Sequence, residues 1–467
     1  MMRLWTSLLC LLLCLSLTVC FTGCDQTPDA TEPPVETQPP MDPQVLYATA
    51  RQAVESAADL RLVISMEEQH FVGDTAYIRS ANTIASYSGL HTEGFAAVIE
   101  ENLTFGSYEN NYKTYYTDGI GYAQILDYAF RTAMTPEEFL AEQIPAVLVD
   151  ASLYGKLTDT VGVTGTTLRF TEPTALESWV TTSPDAQLIS AEATALVNKA
   201  GRLLSTGYRA KYKIGQITYD LTVTVTVSTP NSMVLSDQFP ETLGSAASIS
   251  CFTAPRLLLQ AVGDICATQD FSAAYAETLY CEAADSIRKQ QVQVSTQGTG
   301  DSYSAFLDYT TTLTNYAGKT EINTQKETYE NGTYTYSLND SVPTILQNVT
   351  IQQMRTYCED TVLSALLSID YLSGAVLIDN GDTYKLQLTA TEAMAEDLCD
   401  SIYTIINMDL DATAESYSTK SIGGYLILDK ATGLPLEACI SLSRTHVLGG
   451  TSYSMTYELR ETITLNP

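Results

Sequence analysis

The chain has 467 residues, too many for one ordinary hydrophobic core, so length alone favours two or three domains. Hydrophobic residues make up 45%, a globular composition and not a disordered one. Lys plus Arg total 24 against 55 Asp plus Glu, and a surface with a formal charge of −31 repels phosphate backbones, which argues against nucleic acid as a partner. The acidity reads first as a device for solubility, with cation binding as the alternative.

The first 19 residues carry one positive charge, Arg3, and then the apolar run 8–15, the layout of an export signal. Phe21-Thr22-Gly23-Cys24 follows. This resembles the lipobox of bacterial lipoproteins, in which a small residue precedes a cysteine that receives diacylglycerol. Phe21 departs from the Leu usual there. The rival, Leu17-Thr18-Val19-Cys20, has the Leu but places bulky Val19 before its cysteine, so Cys24 is the expected lipid-attachment site. The signal peptide is then residues 1–23. The resemblance implies a palmitate- and diacylglycerol-type anchor on the extracytoplasmic face of a cell membrane, where two or three acyl chains hold stably. An uncleaved signal anchor is the plainer alternative. Residues 24–43 are rich in Pro and acids and form a tether reaching roughly 50–60 Å at about 3 Å per residue.

Beyond Pro43 a pattern runs twice. Residues 45–54 and 257–262 have helical apolar spacing, and strands are expected at 60–66 and 278–281. Alternating segments 77–87, 95–105 and 303–313 predict strands with one buried face. Tyr116-Thr117-Asp118-Gly119 and Tyr329-Glu330-Asn331-Gly332 then predict tight hairpins. Thr135-Pro136-Glu137-Glu138 and Thr350-Ile351-Gln352-Gln353 are capping boxes that open helices, the first interrupted by Pro145 and restarting toward Leu153. In the second, Ile351, Met354, Cys358, Val362, Ala365, Leu366 and Ile369 fall on one helical face. Turn-then-strand segments at 164–170 and 380–386, helical segments near 175–180 and 392–406, and turns at Asn198-Lys199-Ala200-Gly201 and 429–433 complete each copy before closing strands at 219–227 and 453–459. The expected domains are 44–240 and 255–467, with a linker at 241–254.

An opening helix, antiparallel strands, a helical insert and closing strands, on a lipidated chain, resemble in layout the LolA/LolB-like superfamily of lipoprotein carriers and the LppX/LprG-like mycobacterial lipoproteins. The resemblance covers both copies and rests on no diagnostic residue motif; those carriers have one such unit where this chain has two. It implies an α+β fold, two tandem copies of a curved, half-open antiparallel β-barrel sheet with helices in its concave face, and an apolar cavity for acyl chains. The helices fill that gap or leave it open to lipid; sequence does not separate the two. The one-sided helix then becomes a candidate lid, with Ile351, Met354, Cys358, Val362, Leu366 and Ile369 as ligand-binding residues.

Signatures of chemistry are sparse. The three histidines, His70, His91 and His446, show no metal-ligand spacing, and there is no Cys-x-x-Cys. Gly298-Thr299-Gly300 lacks the third glycine of a nucleotide fingerprint, and Asp409-Leu410-Asp411 fails as a calcium loop at its glycine. Paired carboxylates have no tryptophan-lined cleft to serve, since Trp179 is the only tryptophan beyond the signal. Neither cofactor nor metal is expected. Cys251, Cys266, Cys281, Cys358, Cys399 and Cys439 all fall in the second copy or its linker, and the first copy has none, so mostly free buried thiols are expected. The 29 tyrosines suit half-buried strands; a stacking surface for glycans or peptides is the sharper alternative. The reading is a non-enzymatic, lipid-anchored protein that binds a lipid or other hydrophobic ligand, with an envelope interaction or sensory module of solid cores as the alternative.

Overall fold

The computed structural model describes residues 42–467 apart from 73–74, 106–107, 144–156, 163–164, 171–186, 215–216, 269, 299–301, 316, 431 and 467. The signal peptide, Cys24 and nearly all of the tether lie outside the described residues, as do Trp179, the segment near 175–180 and the helix restart toward Leu153. Residues 43–467 form one compact unit. Among the described residues no helix is long and apolar enough to cross a membrane.

Strand-forming alternation dominates the chain. The first sheet is built from β1 (Leu60–Val72), β2 (Thr75–Ser88), β3 (Ala96–Phe105), β4 (Tyr108–Thr117), β5 (Ile120–Ile125), β6 (Tyr128–Ala133), β7 (Leu157–Val161), β8 (Gly165–Phe170), β9 (Gln187–Asn198), β10 (Leu203–Ile214) and β11 (Ile217–Ser228), with the two-residue β12 (Ala247–Ser248). The second holds β13 (Phe271–Cys281), β14 (Ser286–Gln297), β15 (Ser304–Thr314), β16 (Thr320–Glu330), β17 (Thr333–Leu338), β18 (Thr344–Gln347), β19 (Leu372–Asp379), β20 (Thr383–Ala390), β21 (Ser416–Asp429), β22 (Pro435–Leu448) and β23 (Thr451–Leu465). Among the described residues helices are few: α1 (Pro43–Glu55), α2 (Pro136–Gln143), α3 (Ala254–Ala267), α4 (Ile351–Leu363), α5 (Glu392–Ile406) and the single turn α6 (Leu410–Thr413). Strand accounts for 57% of the chain, so the α+β expectation is corrected to a mostly β architecture.

The strand order of the first sheet is β6-β5-β4-β3-β2-β1-β11-β10-β9-β8-β7, with β12 added parallel to β6. The second is β18-β17-β16-β15-β14-β13-β23-β22-β21-β20-β19. Counted from its own first strand, the second order repeats the first: the chain meanders outward, returns to the far edge, and lays its last strand beside its first. Apart from the parallel β12, both sheets are antiparallel; both are open, and neither closes on itself.

The hairpin motif does the same work twice. Asp118 and Gly119 have φ of 52° and 76°, Asn331 and Gly332 50° and 75°, the left-handed pair of a two-residue turn whose twist matches its strands. Tyr116 and Tyr329 are both buried. Each hydroxyl donates 3.1 Å to the backbone carbonyl of the residue just before a helix cap, Met134 in one case and Val349 in the other. Both capping boxes form. Glu138 N donates to Thr135 Oγ1 while Thr135 N donates to Glu138 Oε2, and Thr350 and Gln353 exchange the same bonds. The hairpin thus aims α2 and α4 at their sheets.

Each inner face carries a packed core. In the first half Tyr47 of α1, Phe105, Tyr112, Tyr116 and Phe139 of α2 are joined by Phe252 and Leu259, which come from beyond residue 250. The helix α3 packs on β3 and β4 as well as on β19 and α4. Its Gly263 lies so close to Phe105 that an added Cβ would stand 2.6 Å from the ring. The pairing of Arg79 from β2 with the buried Asp264 of α3, with Glu68 3.8 Å from the same guanidinium, seals this contact. The second core gathers Met354, Cys358, Val362, Leu366 and Leu367 under residues of β13 to β23. Five of the six distal cysteines are buried, Cys266 is half-buried, and all six are free thiols.

Candidate functional site

Alternation along β16 puts Gln325, Glu327 and Tyr329 on the inner face of the second sheet. Glu327 stands directly opposite Tyr336, and Tyr329 opposite Tyr334, while β18 extends these rows with Thr344 and Leu346. From above, α4 presents Gln353, Met354 and Tyr357, which share a face at i, i+1 and i+4. Together these elements enclose an open cleft of about 490 Å³. Its size lies within the range of about 300–1,000 Å³ usual for small-molecule sites.

The cleft has an apolar wall and one polar floor. Glu327 is 1% exposed. Its Oε1 accepts from Gln325 Nε2 and, at 3.4 Å, from the Tyr357 hydroxyl. Its Oε2 is buried and has no hydrogen-bond donor. The Tyr309 and Tyr357 hydroxyls meet at 2.9 Å. Burial, and then the charge of Glu327, raise the pKa of Tyr334 above the usual phenol range. Burial likewise raises Tyr357. These hydroxyls stay protonated at neutral pH.

The row that starts at Gln325 continues across the sheet, away from the cleft. Glu461 of β23 faces Tyr275 of β13, which is followed through Val292 by Tyr309 and Gln325. Glu461 is fully buried, neither of its oxygens has a partner, and burial pushes its carboxyl up to about 9. It is therefore uncharged at neutral pH.

The structure divides the predicted lid residues. Helix α4 ends at Leu363, so Leu366 and Ile369 do not continue its face. Leu366 N instead donates to Leu363 O in a turn, and Ile369 opens a 3₁₀ turn. Met354 lines the tyrosine cleft. Cys358 and Val362 are buried in the second core, with Ile351 half-buried against it. Leu366 and Ile369 line a different, apolar cleft of about 360 Å³ between Leu258 and Val262 of α3 and Leu126 of the first half. Sequence reasoning missed Glu327, Tyr357 and Glu461; their signal is an acid or tyrosine at the inward parity of a strand or on the apolar face of a helix.

One other polar cluster is closed. Tyr403 and Asp411 both meet the same ring nitrogen of His446, Nε2, at 2.8 and 2.9 Å. The buried Arg444 reaches Asp411 at 2.8 Å and lies over the Tyr417 ring. With both partners on one nitrogen, this is a bracing network and not a proton relay, which needs acceptor and donor on opposite sides of the ring. Among the described residues no group of His, Cys, Asp and Glu is placed to hold a metal ion.

No family model matches the chain, and no curated protein matches it. Solved structures to which it is similar include LprF from Mycobacterium bovis, at 10% identity, 41% of this chain, 93% of that one and a TM-score of 0.24. A DUF1329 family protein from Desulfovibrio piger matches at 10% identity over 43% of this chain and 99% of that one, with a TM-score of 0.18. A LolA superfamily protein from Nitrosomonas europaea matches at 14% identity over 46% and 94%, with a TM-score of 0.15. These are loose resemblances, and at such scores the functional assignment falls to the chain's own geometry.

Proposed function

We propose that the chain is a non-enzymatic, extracytoplasmic lipoprotein, anchored through Cys24, that holds a hydrophobic or amphiphilic ligand in the tyrosine cleft of its second half. The observation that carries this reading is the cleft itself: about 490 Å³ between α4 and β16–β18, mostly apolar, with a buried carboxyl oxygen left unsatisfied at its floor. Buried polar atoms normally have partners, and one left without a donor beside a cleft is a place where the polar end of a ligand can supply it. The repeated strand order favours one unit used twice, at 44–240 and 255–467.

Titration of residues 25–467 with a fluorescent fatty acid tests the binding. Saturable uptake that Leu346→Trp weakens, by filling the mouth from exposed β18, is the expected result. Uptake unaffected by that variant places the ligand elsewhere. Labelling with an alkyne fatty acid should mark the wild type and not Cys24→Ala; equal labelling ends the anchor assignment.

An interaction module is the second reading, and the sheet edges favour it. The edge strand β18 exposes Ile345 at 58% and Leu346 at 48%, and edge strand β19 exposes Val376 at 51%. Exposed apolar edges accept an added strand from a partner.

A further inference from the structure

The cleft has a preference built into its polar end. Glu327 belongs to an inward row, whereas the adjacent Lys326 points to the other face and lies 3.7 Å from Asp340. Among the described residues no cation pairs with Glu327. One of its oxygens is served by Gln325 and Tyr357, and the other, Oε2, by no donor. Tyr334 and Tyr336 stand beside it with ring centroids 6.2 Å apart, tilted by 33°, and Tyr357 faces them from α4. Tyrosine faces attract cations through the ring quadrupole. A buried carboxyl oxygen needs a hydrogen-bond donor, and a charged donor makes the stronger bond. The chain's formal charge of −31 also draws cations toward every cleft.

We propose that the tyrosine cleft selects amphiphiles whose polar end is a protonated primary amine, the ammonium seated among Tyr334, Tyr336 and Tyr357 and donating to Glu327 Oε2. This deepens the hydrophobic-ligand reading and rests on it. A primary ammonium satisfies both features of the site, the π faces and the unpartnered acceptor. A quaternary ammonium satisfies only the first, an alcohol only the second, and a carboxylate is repelled. The amine belongs to a lipid headgroup or to a free alkylamine.

The test is competition of dodecylamine, dodecyltrimethylammonium, dodecanol and laurate against a fluorescent hydrophobic probe on residues 25–467. Dodecylamine should bind about tenfold or more tightly than dodecanol, the scale of one charge-assisted hydrogen bond. Glu327→Gln, nearly the same in shape, should remove that gap, with the melting temperature checking the fold. Tyr336→Leu should shrink the gap severalfold. Competition by lysophosphatidylethanolamine but not lysophosphatidylcholine assigns the amine to a lipid; competition by dodecylamine alone assigns a free alkylamine, and either supports the class. Equal binding of amine and alcohol, tightest binding of laurate, or a gap that survives Glu327→Gln overturns the amine proposal and leaves hydrophobic binding standing. Failure of every probe to bind overturns both.

Discussion

Glu461→Gln should stabilise the protein at alkaline pH and do almost nothing at pH 5. Glu461 is fully buried with both carboxyl oxygens unpartnered, and burial alone moves its pKa from 4.5 to about 9. The folded state keeps the proton through neutral pH, while the unfolded chain releases it near its ordinary value. Between those two values the folded state binds more protons than the unfolded state, so stability falls as pH rises. Below the unfolded value neither state is ionised and the penalty vanishes; above about 9 it is complete. The slope is about 1.4 kcal/mol per pH unit, so at pH 7.5 the penalty is roughly 4 kcal/mol, an upper bound if water reaches the carboxyl on local opening. Glutamine is uncharged at every pH and leaves a similar polar group in the same place. Urea unfolding of both proteins at pH 5, 6.5 and 8 measures the difference. A gap that widens by about 1 kcal/mol or more per unit is expected. Parallel stability curves, with no dependence of the gap on pH, would refute the burial argument.

Three further outcomes follow from packing and hydrogen bonds. Gly263→Ala should destabilise by about 1–3 kcal/mol in urea, against the usual helix preference for alanine, because Phe105 occupies the space of its Cβ. Asp264→Ala leaves Arg79, stacked on Phe105 beneath α3, with only Glu68 at 3.8 Å and should cost about 3 kcal/mol by the same assay, while the double variant with Arg79→Met recovers part of it. Tyr116→Phe and Tyr329→Phe should each cost about 1 kcal/mol, since each removes one bond to the backbone before a helix; a loss in one hairpin only would break the equivalence of the two.

Local chemistry was the legible part of the chain. Asp118-Gly119 and Asn331-Gly332 need positive φ, and Thr135 and Thr350 need a partner three residues on, so both features can be read from a few adjacent positions. The recurrence of such landmarks was legible too, whereas the order of the strands in each sheet was not. The end of α4 was not legible, because Leu366 and Ile369 keep helical spacing although the backbone has already turned. Long-range pairings were equally hidden: Arg79 and Asp264 are 185 residues apart, and Phe252 enters the first core from the expected linker. The cleft escaped for a subtler reason. Tyrosine at alternate strand positions is what any half-buried sheet shows, and only the register across β16, β17 and β18, with α4 above it, brings Glu327 and the tyrosines to one floor.

The most direct test of ligand binding in the tyrosine cleft is native mass spectrometry of residues 25–467 purified from a lipid-containing host, beside the Leu346→Trp variant. The account predicts a co-purifying hydrophobic molecule at one per chain in the wild type, released or much reduced when tryptophan fills the mouth. A wild-type chain that carries no such molecule and takes up none from added lipid would contradict it.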